Sequence, residues 1–242
     1  MTPHLTDVHD RLAATLAGVA ATFRGMTAHP LESNCECHWG SAQELALLKT
    51  PDVPLDDDLL RRTYWLADWT YPGPLLRRIL PQVAQGLVSG ETVLIGGLKN
   101  LFIRSRWWDW PNAQRDAVQA FLDAWWRHIL VDPDATVPAH EALEFLAEIS
   151  VRLTPWLTTW ASLLGDQAAA TRFVAAVGNW NHDLPGDMLP WQSWHDSADW
   201  CATLSLWVLR TAPPVLREHG ASAELQDYVR RLALPFDDRW DG

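Results

Sequence analysis

The chain has 242 residues, 48% hydrophobic and 20% charged, with 30 acidic against 19 basic residues and a formal net charge of −11. That balance excludes a disordered chain, and its acidity argues against nucleic-acid backbone and anionic lipid as general partners. Three cysteines in so long a chain make no disulfide framework, and no apolar run reaches the ~18 residues that span a bilayer.

Only Lys49 and Lys99 are lysine; the other basic residues are arginine. With the abundant Ala, Leu, Trp and Pro, this is the composition of a GC-rich coding sequence. The expected setting is a cytoplasm of bacterial type with reduced thiols. The alanine-rich run "LAATLAGVAAT" is preceded by Asp7 and Asp10 rather than by a basic leader, so it reads as part of an amphipathic helix and not as a signal peptide.

That first helix shows Leu5, Val8, Leu12, Leu16, Val19 and Phe23 at steps of three and four. The next stretch, "NCECHWGS", holds Cys35, Cys37 and His38. In an extended segment the two sulfurs project to the same side and can chelate one soft cation, such as zinc, with His38 joining if the chain turns. A one-residue spacer is shorter than structural zinc sites use, so further ligands must come from His182, His195 or Cys201. Cys37 is alternatively a reactive thiol, near the start of a helix that Ser41 and Glu44 open as a capping box.

"DDDLLRR" begins a third helix, its acidic first turn complementing the macrodipole. A fourth, "GPLLRRILPQVAQGLV", is expected to kink or break at Pro81. "ETVLIGG" is β-like but too short and isolated to imply a sheet. "RSRWWDWP" then places Trp107, Trp108 and Trp110 almost consecutively, so they cannot all face one core from one helix. With Arg104 and Arg106 they are expected to form an exposed interaction patch.

A helix from Pro111 carries Val118, Phe121, Leu122, Trp125 and Ile129 on one face. In the helix after Pro138, Glu141, Glu144 and Glu148 oppose the apolar Leu143, Leu146, Ile149 and Leu153, so the glutamates are expected to face solvent. Thr154-Pro155 starts another helix, and Asp166 caps one that ends near Asn181. His182, Asp183, Asp187, His195 and Asp196 cluster in the turn that follows. A helix from Pro190 places Cys201 on an apolar stripe with Leu204 and Val208, and a last helix starts after Pro213 or Ala221. Of the sixteen tryptophans, Trp65 with Trp69, Trp156 with Trp160, Trp191 with Trp194 and Trp200 with Trp207 have helical spacing and read as core.

The sum is an all-α chain of about ten helices in antiparallel pairs, an irregular bundle or a HEAT-like α-solenoid, in one domain over 1–242. No catalytic signature occurs. The leading functional expectation is an acidic cytosolic interaction protein, an adaptor or an immunity or antitoxin-type binder, whose Trp/Arg patch meets a protein partner; a basic one fits the charge. The alternative is a metal-dependent or small-molecule enzyme joining the Cys35/Cys37/His38 loop to the 182–201 turn. The third is a carrier holding an apolar small molecule in a Trp-lined pocket.

Overall fold

The computed structural model describes residues 3–36, 39–65, 68–91, 96–193, 195 and 198–240. It is all-α: 69% helix, with eleven α-helices and no strand among the described residues. Contacts divide the chain into two compact units, 1–128 and 129–242, where the sequence reading has a single domain.

In the first unit are α1 (Pro3–Thr22), α2 (Ala42–Leu48), α3 (Asp57–Trp65), α4 (Pro72–Ser89), α5 (Gly97–Ser105) and most of α6 (Asn112–Val131). The central element is α4, packed on α1 and α5, while α3 packs on α5. Leu12, Val19 and Phe23 are the fully buried members of the α1 stripe. Pro81 does not break α4, which continues to Ser89 and stops at Gly90 in the left-handed region. Leu76, Ile79, Leu80, Val83, Ala84 and Leu87 are buried on both sides of the proline, and that packing outweighs one lost backbone bond. The β-like stretch falls largely on Thr92–Ile95, outside the described residues.

Two arginines knit the loops of this unit. Arg78 is buried and donates to the carbonyls of Leu47, Thr50 and Val53, fixing the α2–α3 connection. Arg62 bonds Glu44, Asp58 and the Trp39 carbonyl, tying α3 to the Ser41–Glu44 capping box, which is present as expected. At the start of α5 a Cβ on Gly97 would lie 2.5 Å from the Trp65 Cα, so only glycine lets these two backbones approach.

The second unit holds α7 (Ala139–Ser150), α8 (Thr154–Leu163), α9 (Gln167–Asn179), α10 (Ala198–Glu218) and α11 (Ala223–Arg231). Its main packing pairs are first and second neighbours along the chain: α7 with α8 and α9, α8 with α9 and α10, α10 with α9 and α11. In the first unit, α1 on α4 departs from this neighbour-on-neighbour packing. Trp160, Phe173, Trp180 and Trp207 form one aromatic cluster, with ring centroids 5.2–6.5 Å apart.

α10 differs from expectation at both ends. It begins at Ala198 rather than Pro190, and it runs through Pro213 and Pro214 to Glu218. The prolines deprive the Leu209 and Arg210 carbonyls of their usual donors, yet Val215 and Leu216 are buried beyond them and hold the last turn. α11 starts behind Ser222, whose hydroxyl accepts from the Leu225 amide.

Candidate interaction surface

The Trp/Arg stretch is mostly interior. α5 ends at Ser105, Arg106 takes the left-handed conformation, and Trp107–Asp109 form a short 3₁₀ turn. In such a turn side chains three apart eclipse, so Trp107 and Trp110 point the same way and both are buried. The Trp110 indole donates to the Ser105 carbonyl at 3.0 Å and lies under the Arg77 guanidinium at 4.5 Å. Trp108 is half-buried. Arg104 is engaged by Asp68 and the Trp69 carbonyl, and Arg106, 70% exposed, pairs with Asp109. Of the expected patch, Trp107 and Trp110 are therefore interior, while Trp108 is half-buried and Arg104 and Arg106 are exposed. Among the described tryptophans of this unit Trp65 is exposed, at 43%; α3 ends there, which separates it from buried Trp69.

The expected ligand set lies only partly within the described residues. Cys35 is disulfide-bonded, and a disulfide sulfur is not a thiolate ligand; a count of cysteines does not reveal which thiols approach each other. Cys37 and His38 lie outside the described residues, as do Trp194 and Asp196. Neither His182, which is exposed, nor His195, which is half-buried, joins a set of three ligand-type side chains among the described residues. Cys201 is free and buried in α10, and its burial raises the thiol above its usual value.

Glu148 corrects a second expectation. It is fully buried, while Glu141 is exposed and Glu144 half-buried. Its carboxylate accepts the Trp191 indole N–H at 3.1 Å, and its carbonyl lies 3.2 Å from His195 Nε2. The segment leading to α10 is thereby anchored on α7. Ala142, Phe145 and Ile149 are buried around the helix, so α7 has almost no solvent face for Glu148 to occupy.

The open surface lies on α10. Its core side is Cys201, Leu204, Val208, Ala212, Val215 and Leu216. A second apolar row, Ala202, Leu206, Leu209 and Pro213, follows steps of four and three along a different face. Leu206 is 51% exposed, Ala202 is exposed, and Leu209 and Pro213 are half-buried. The row opens into a groove of about 610 Å³ between α10 and α11, lined by Leu209, Pro213 and Leu216 on one wall and Ala223, Val229 and Ala233 on the other. Asp227 in this groove is held by Arg230 and Arg231 of its own helix. α11 is fixed beneath by Tyr228, whose hydroxyl donates to the Trp180 carbonyl and whose pKa burial raises.

The signal for this surface is in the sequence. α10 is apolar over far more than the one stripe a packed helix needs, and two prolines placed inside a helix conceal how far the second row extends. No helix among the described residues is long and apolar enough to cross a membrane. Comparison of the chain with protein-family models, with curated proteins and with solved structures finds no match.

Proposed function

We propose that the chain is a non-catalytic helical interaction protein, of adaptor or immunity/antitoxin type, and that its binding face is the α10–α11 groove. One observation carries this reading: Ala202 and Leu206 on α10 are exposed, and the half-buried Leu209 and Pro213 continue their row into a largely apolar groove. Burying one leucine of such a row contributes about 1.5–3 kcal/mol, and contiguous exposed apolar surface of this kind marks association sites. The Trp107–Trp110 corner takes no part in this binding.

A photo-crosslinking residue at position 206, with position 65 as the control, tests the reading in cells that make the chain. The expected result is a discrete protein adduct at 206 that disappears when Leu209→Glu is added. Adducts that are absent, or equal at the two positions, would refute it.

A further inference from the structure

We propose that the occupant of the α10–α11 groove is an acidic amphipathic helix of a protein partner, its carboxylates seated on Arg210 and Arg217. This rests on the reading of the groove as a binding face and adds the chemistry of what binds there.

The argument is charge complementarity on a defined edge. Arg210 and Arg217 are seven residues apart on α10, so at ~100° per residue they lie within about 20° of one another. Arg217 lines the groove itself, beside Pro213 and Leu216, and Arg210 lies two turns before it, next to Leu209 of the same row. Both are exposed, and neither forms an ion pair or side-chain hydrogen bond among the described residues. Arg61, Arg62, Arg104, Arg106, Arg230 and Arg239 are each paired with a carboxylate, while Arg11, Arg24 and Arg152, exposed like Arg210 and Arg217, line no part of this groove. In a chain with 30 acidic and 19 basic residues, two unpaired guanidiniums beside an apolar groove are the feature that needs a complement.

The spacing states what that complement is. The arginines are separated by about 10.5 Å along the axis, two helical turns, which is also the separation of acidic residues seven apart on a second helix. The apolar row spans about 16 Å, enough for three turns of a partner. A helix that lays a leucine face on the groove and carries glutamates at seven-residue spacing beside it satisfies both features at once. Asp199 begins the same face near the start of α10, so the face runs from acidic to basic and favours one orientation of the occupant. A second copy of this chain fits less well, because it brings a further charge of −11 and sets like arginines against each other. The overall negative charge does not prevent binding of an acidic helix: screening over ~8 Å at physiological ionic strength leaves the nearest arginines dominant.

The test uses the full chain and two synthetic fluorescent peptides with the same leucine stripe. One carries glutamates at seven-residue spacing beside the stripe, the other lysines. Fluorescence anisotropy is expected to show the glutamate peptide binding about ten-fold more tightly at roughly 50 mM NaCl, with the preference narrowing at roughly 300 mM. In the double variant R210E/R217E, folded by circular dichroism, the preference reverses. Leu206→Ser weakens both peptides. Equal affinities in the native chain, both lost in Leu206→Ser, would overturn the acidic partner and leave the binding groove standing. Binding of neither peptide overturns this inference, while the position-206 crosslink decides the broader reading independently. Self-association in sedimentation that Leu206→Ser abolishes assigns the groove to a second copy and also overturns the proposal.

Discussion

At the Trp107–Trp110 corner the chain uses two of its largest side chains to close a turn, whereas α10 leaves a row of ordinary apolar residues facing water. The contrast follows from geometry rather than residue type. A left-handed residue followed by a 3₁₀ turn rotates Trp107 and Trp110 to one side and buries them. On α10 the helix runs on through its prolines, so an apolar row on a face other than the core side has no means of reaching the core. Aromatic size thus identifies no surface in this protein; the direction of the Cα–Cβ bond does.

Substitutions in the two regions sharpen that contrast. Trp110→Ala is expected to cost about 3–5 kcal/mol, read from urea unfolding, and it also strands the Ser105 carbonyl. A cost below about 1 kcal/mol would return this corner to the surface. Gly97→Ala, in the same unit, is expected to cost about 1–3 kcal/mol, because a methyl 2.5 Å from the Trp65 Cα forces α5 away from α3. Glu148→Leu should be destabilising by about 1–3 kcal/mol, since it leaves the half-buried Trp191 indole without its acceptor. Near-UV circular dichroism would register the loosening of that tryptophan. Smallest is Leu206→Ser, expected to change stability by no more than about 0.5 kcal/mol while weakening the binding of both peptides at the groove. A loss as large as that of Trp110→Ala would mean that the α10 row is core after all.

A pH series tests the loop network of the first unit. The Arg62 guanidinium, and after it the Ser41 backbone amide, hold the Glu44 carboxyl below its ordinary value of 4.5. A depressed folded pKa stabilises the native state above the unfolded value and ceases to do so as pH falls through the folded one. Unfolding midpoints should therefore decline below about pH 4.5, and Glu44→Gln should flatten part of that decline. An unchanged slope in Glu44→Gln would remove Glu44 from the acid response. Because the pair is partly exposed, the effect is also expected to shrink in high salt.

Much of the local structure was legible. The Ser41–Glu44 box and the Asp166 cap rest on hydrogen bonds within three residues, which can be read from neighbouring residue types, and the start of α8 at Thr154 follows from Pro155 in its first turn. Cys201 was correctly read as buried because its stripe is periodic. Glu148 was not, since α7 is surrounded by apolar residues on more sides than one stripe discloses. The α10 face was missed for a related reason: Pro213 reads as a stop, and only burial of Val215 and Leu216 beyond it keeps the helix continuous.

By itself, then, the sequence determined the all-α class, most helix starts and the acidic character, because these depend on periodicity, caps and composition. Tertiary structure alone decided that Trp107 and Trp110 lie inside, that Glu148 is buried and that Leu206 faces water. Burial is set by which face of an element meets another element, and that information resides in the packing of distant segments rather than in the order of neighbours.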